Sequence, residues 1–284
     1  MQHTRRLVFR GNAAAASGRI HRPTDVLIDV NGASSLTVVG GISQSRIEAH
    51  SFGPYVRFAR ASTLAEGTFH DAQKALDLTY RRMDQDGMTA TTRVSAEVDG
   101  LFIGGKPEFS VARIRAALSG QHTYGADEPP FTLPDGGVGV DGVTIGGHGL
   151  AVDIDFDAFR QCPTHGSLLK AAGDRSFVAQ HGGCFFLAPG ASAPAASGPS
   201  GMRESSGTIF GTIVKAIRWI DAPYPGAAID HHSVIVPDFG TIFFGEILIS
   251  SLSRRLTMLR LELGSPVGGF VACGDVESNG IWSP

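Results

Sequence analysis

The sequence predicts a mainly β protein: an antiparallel β-sandwich or barrel with a few short peripheral helices. Three observations predict it. Apolar residues recur at every second position over most of the chain, the periodicity of a half-buried strand. Clusters of Gly, Asn, Asp and Pro separate these runs, as hairpin and loop chemistry requires. Stretches of helical periodicity are few, and no strand–helix–strand alternation is sustained, which counts against a doubly wound α/β fold.

Taken in order, Leu7-Val8-Phe9 reads as a short strand between solvated arginines. The preceding Arg5-Arg6 suggests an export signal, but Arg10, Gly11 and Asn12 interrupt the apolar stretch such a signal needs. Val26, Ile28 and Val30 form the next strand, ended by the turn dipeptide Asn31-Gly32. Tyr55 to Leu64 and Thr89 to Val98 alternate apolar residues with charges such as Arg57, Arg60, Arg93 and Glu97. An octet then occurs twice, as Val98-Asp99-Gly100-Leu101-Phe102-Ile103-Gly104-Gly105 and as Val140-Asp141-Gly142-Val143-Thr144-Ile145-Gly146-Gly147. Each copy reads as a turn, a short apolar strand and a second turn, and the second copy opens a glycine-tipped hairpin over 140–156.

Helices are expected at three places. Ser110 would cap a segment ending at Leu118, with Val111, Ile114 and Leu118 on one face; Ala72 to Met83 and Ser167 to Ala172 are the others. Ile209 to Ile220 is assigned to strand by its β-branched content. Ser233 to Val236 and Thr241 to Ile249 form a second hairpin around Pro237-Asp238-Phe239-Gly240. Leu256 to Leu263 then sets Thr257, Leu259, Leu261 and Leu263 against Leu256, Met258, Arg260 and Glu262 on the other face. The chain is expected to be a single β-rich unit over 1–284. A low-complexity flexible loop at 189–206 would divide a larger part, 1–188, from a C-terminal meander, 207–284, that completes sheets begun earlier.

Composition narrows the function. Lys+Arg 24 against Asp+Glu 27 gives a net charge of −3, which argues against nucleic acid or anionic membrane as partner. No apolar run is long enough to span a bilayer as a helix. Cys162, Cys184 and Cys273 are widely spaced, contain no C-x-x-C pair and read as reduced thiols in a cytoplasmic protein. The G-x-G-x-x-G match at Gly137 to Gly142 precedes a strand rather than a helix, so it is not a dinucleotide site. Asp238-Phe239-Gly240 lacks every companion kinase motif and is a turn.

Two constellations carry chemistry. On a strand, Asp153, Asp155 and Asp157 would share one face at roughly 6.5–7 Å intervals. Oxygen ligands in that row suit calcium or magnesium; the alternative is a solvated face, with Asp157 capping a helix that starts at Ala158. Asp230-His231-His232 precedes the second hairpin, and one of these histidines, with Asp230 or a distant carboxylate such as Glu246, suits general acid–base work. His148 and the His181/Cys184 segment are isolated further candidates. A lumen lined by the many phenylalanines would hold a small hydrophobic ligand, as in a carrier or cyclase. The low charge and the missing catalytic signatures favour a non-catalytic ligand- or protein-binding subunit, with a homo-oligomer or protein partner covering uncharged β surface. The competing expectation is a β-scaffold enzyme working through the aspartate row or the histidines.

Overall fold

The computed structural model describes residues 7–71, 88–126, 128–134, 136–181, 185–186 and 208–282. The chain opens with β1 (Leu7–Arg22), β2 (Val26–Ser35), β3 (Gly41–Ile47), β4 (His50–Phe52), β5 (Val56–Phe58) and β6 (Arg60–Phe69). Two long strands follow, β7 (Thr89–Ile103) and β8 (Phe109–Thr123), then β9 (Phe131–Thr132), β10 (Gly139–Asp141), β11 (Val143–Ile145) and β12 (His148–Ile154). Short helices α1 (Asp157–Gln161), α2 (His165–Ala172) and α3 (Arg175–Gln180) come next. After them run β13 (Phe185–Phe186), β14 (Ile209–Thr212), β15 (Val214–Trp219), β16 (Ala228–Asp230) and β17 (Ser233–Val236). The long strands β18 (Gly240–Ile249), β19 (Ser253–Leu263) and β20 (Gly268–Trp282) close the order.

The strands make two antiparallel sheets. The first runs β13-β14-β18-β19-β20-β1-β2, with β17 on β18 and β16 beyond it; the second runs β15-β12-β11-β8-β7-β5-β4, with β6 on β7 and β3 on β6. Among the described residues neither sheet closes on itself, so the two pack as a sandwich rather than a barrel and form no barrel lumen for phenylalanines to line. Strand β1 packs over β6 and β7, β20 over β7 and β8, and β19 over β8. The interior between them holds Phe109, Ile114, Leu118, Phe244, Met258, Leu259 and Val271, all essentially excluded from solvent. Burial of each Leu- or Phe-sized side chain stabilises the fold by about 1.5–3 kcal/mol. Because β1 lies between β20 and β2, the first and last strands of the chain share one sheet.

Straight alternation is broken along one line in each sheet. In β18 the inward residues are Ile242 and Phe244, then Ile247 and Ile249; in β19 they are Leu256 and Met258, then Leu259 and Leu261; in β20 they are Val271 and Cys273, then Val276. The reversals fall at Gly245, Met258 and Gly274, which lie side by side in the register of the three strands. Gly245 and Gly274 both take a positive φ, 60° and 63°, a conformation that favours glycine. The register is the same on both sides of this line, so it is a glycine kink that re-aims the side chains beyond it without inserting a residue.

The second sheet has the same device, and it accounts for the repeated octet. The two copies flank β8 in the same register: Val98 and Val140 both face Ile114, and Asp99 and Asp141 both face Arg113. Phe102 and Thr144 both face Ser110, and Ile103 and Ile145 both face Phe109. Gly100 and Gly142 sit at the kink with φ of 64° and 63°. A Cβ on Gly142 would lie 2.6 Å from the Ala112 Cβ. Arg113 and Arg115 complete the motif from β8, bonding Asp99 and Asp141. The repeat is therefore a structural one.

That kink also overturns the helix expected after Ser110. Residues 109–123 are strand, with Phe109 and Val111 inward, Ala112 and Arg113 outward, and Ile114, Ala116 and Leu118 inward again. The reversal between Val111 and Ile114 converts a period of two into an i, i+3 spacing that imitates one helix face. The helix expected at Ser167 to Ala172 is present as α2, capped by Thr164, whose hydroxyl accepts from the Ser167 backbone N–H while the Ser167 hydroxyl accepts from that of Thr164. The expected helix at Ala72 to Met83 and the loop at 189–206 lie outside the described residues.

Candidate functional site

The aspartate row is not a row. Strand β12 ends at Ile154, and the three carboxylates diverge. Asp153 is exposed and bonded by Arg218 at 3.2 Å, and Asp157 is exposed and bonded by Arg160 at 3.0 Å. Asp155 turns inward. Its Oδ1 accepts from the Asp157 backbone N–H at 2.9 Å and its Oδ2 from His181 Nδ1 at 2.8 Å. It is therefore Asp155, rather than Asp157, that holds the first turn of α1, whose N-cap Phe156 contributes no side-chain bond. Burial pushes the Asp155 carboxyl up, but the bonds from His181 and the α1 backbone outweigh it and leave it below the ordinary range. Among the described residues, no three His, Cys, Asp or Glu side chains gather as a cation site requires.

The histidine pair separates too, because β16 and β17 are joined by a tight turn. His231 occupies its left-handed position (φ 50°) and points to solvent beside Asp230, both more than half exposed. The carbonyl of His232 accepts from the Phe244 backbone N–H at 2.9 Å, which ties this residue to β18. Its ring is nearly buried, with Nε2 3.6 Å from Glu246 Oε1. The fold thus brings the sequence candidates together in two separate pairs, Asp155 with His181 at the start of α1 and His232 with Glu246 on the first sheet.

Arg260, which strict alternation along β19 groups with Leu256 and Met258, completes the His232–Glu246 group. Its Nε donates to Glu246 Oε2 at 2.6 Å and its Nη2 to Oε1 at 2.7 Å. Nη1 donates to Glu262, and the guanidinium lies 3.9 Å from the Phe243 ring centroid. The kink makes this possible. Phe243 and Glu246 both face outward because Gly245 reverses β18 between them, and Thr257 and Arg260 both face outward because β19 reverses beside it. Arg260 can then stack on one and fork onto the other. A Cβ on Gly245 would lie 2.7 Å from Ile213 Cγ1, where the chain crosses from β14 to β15. Burial raises the Glu246 carboxyl, yet the Arg260 fork and His232 overcome it and bring it down to about 2. The same bonds push Arg260 above its ordinary value. At neutral pH this is a fixed ion pair.

The group forms one end of a groove on the outer face of the first sheet. Phe210, Leu248 and Arg255 lie in cross-strand register along the groove, and Glu246 and Thr257 form the next row. Together with Gly211, His232, Ile247 and Arg260, these residues enclose about 520 Å³, within the ordinary range for small-molecule sites. Phe210 is 49% exposed, a large apolar ring offered at the rim. Arg255 is forked onto Asp275 at 2.8 and 2.6 Å, and the Thr257 hydroxyl donates to the same carboxylate. None of the three aspartates lines this groove.

Residues 7–181 match the family described as Domain of unknown function (DUF8256), and the chain belongs to that family. No curated protein and no solved structure matches it.

Proposed function

We propose that this member of the DUF8256 family is a non-catalytic binding subunit that takes a small ligand in the groove on the outer face of its first sheet. One observation supports this most directly: Arg260 fixes Glu246 in a two-bond fork beside His232, with Phe210 and Leu248 as the adjoining apolar wall. Preplaced polar groups next to an apolar surface are what small-molecule recognition uses. A carboxyl held near 2 keeps its charge at neutral pH, which suits positioning better than proton transfer. Ligand-observed NMR against a fragment library is the test. Fragments bind the wild-type chain and lose binding in Leu248→Arg, which fills the groove; hits indifferent to that change would defeat the reading.

A second observation supports self-association. Strands β2 and β3 are the open edges of the two sheets on the same side of the sandwich. Leu27, Val30, Val38, Val39 and Ile42, all well exposed, sit on those strands and the turn between them. Open edges bearing apolar side chains invite pairing with another chain. Light scattering on the eluting protein should give a dimer or larger assembly that Ile42→Asp reduces to monomer, whereas a monomeric wild type would rule it out. No helix among the described residues is long and apolar enough to cross a membrane. The buried free thiols Cys162 and Cys273 support a reducing, cytoplasmic setting.

A further inference from the structure

The charges around the groove restrict what can occupy it, given the binding reading on which this step rests. Arg260 is shared between Glu246 and Glu262, and Arg255 is forked onto Asp275. An anion approaching either guanidinium would meet the carboxylates those guanidiniums already serve. A cation approaching Glu246 would meet Arg260 and the His232 edge in the same way. In each case the incoming charge must break a two-bond pair or sit beside a like charge, and either route costs free energy.

A neutral hydroxyl meets no such penalty. The Glu246 oxygens each accept one guanidinium N–H and keep acceptor capacity beyond it, and the Arg260 and Arg255 guanidiniums keep N–H groups beyond those they donate. The groove therefore offers an acceptor, Glu246, beside donors, Arg260 and Arg255, at fixed positions. A hydroxyl, which both donates and accepts a hydrogen bond, fits that mixture, and adjacent hydroxyls on a ring can use both kinds of group. The half-exposed Phe210 ring, next to Leu248 in register, offers an apolar surface for the C–H face of such a ring. We infer that the groove's ligand is a neutral, polyhydroxylated ring, a saccharide, held by Glu246, Arg260 and Arg255 and stacked on Phe210.

Calorimetric titration of the full chain with a panel of saccharides tests this. The panel comprises neutral hexoses and their disaccharides, the corresponding uronic acids and the corresponding amino sugars. The expected result is binding of at least one neutral member, changed less than about threefold between low and high salt because no net charge is exchanged. Phe210→Ala should weaken it at least tenfold while the thermal unfolding midpoint stays close to wild type. If Phe210→Ala also unfolds the chain, Phe210→Leu keeps the apolar bulk and still removes the flat ring. Salt-sensitive binding confined to the uronic acids or amino sugars overturns the neutral-ring assignment and leaves the groove as a binding site. Fragments that bind the groove when no saccharide does overturn the assignment in the same way. A groove that binds neither saccharide nor fragment removes the binding reading as well.

Discussion

Gly240→Ala is expected to destabilise the fold by about 3–5 kcal/mol, from backbone strain and overpacking combined. Gly240 opens β18 with φ of 129°, and a Cβ there would lie 2.0 Å from the Glu262 carbonyl oxygen and 2.9 Å from the Gly264 nitrogen. Both neighbours are backbone, so no side-chain rotation relieves the clash. Gly240 faces Leu263 in β19 and Val236 in β17, so relief requires opening the sheet where three strands meet. Gly147→Ala is the comparison, since it has a positive φ of 85° with nothing within 4 Å of the added carbon. It should cost only the local strain, about 1–2 kcal/mol. Urea unfolding of both variants at unchanged slope measures the difference. Equal losses would mean that β18 does not approach β19 as described.

Arg260→Met is expected to cost about 1–3 kcal/mol at neutral pH and progressively less in acid. Removing the fork leaves the Glu246 carboxylate partly buried beside His232 with its strongest donor gone. The sign follows from the direction of the shift. In the folded protein the Glu246 carboxyl is lowered from 4.5 to about 2. Its ionisation therefore contributes stability that is fully present above about 4.5 and disappears as pH falls toward about 2. The variant lacks that contribution, so its deficit against wild type should be largest at pH 7 and should shrink across this window. What persists in acid is the lost stacking on Phe243. Unfolding free energies of both proteins at several pH values provide the check. A deficit independent of pH would show that Glu246 is not held ionised by Arg260.

The β architecture was legible because alternation survives the kinks: a strand that reverses face still alternates on either side of the reversal. Both hairpins and the strand assignment of 209–220 follow from turn residues and β-branched content, although the sequence does not announce that the chain changes sheets at Ile213, between β14 and β15. His232 and Glu246 were legible as a candidate pair, but Arg260 was not, and the helix expected at Ser110 failed for the same reason. A single glycine kink shifts every later side chain to the opposite face, and a strictly periodic reading places Arg260 with Leu256 and Met258 instead of beside Glu246. The glycines that mark those kinks were visible, but Gly245 and Gly274 resemble any others in a chain containing 37. Only their alignment across neighbouring strands distinguishes them, and alignment is a property of register. The Asp155–His181 pair was hidden similarly, since its partners come from the end of β12 and the end of α3.

If the outer-face groove is where this protein meets its ligand, crystals of the full chain soaked with a diverse fragment set will show it. Fragments should collect beside Phe210, with polar atoms on the Glu246–Arg260 pair and His232. A groove left bare while fragments settle reproducibly on another surface would mean that the ligand binds elsewhere.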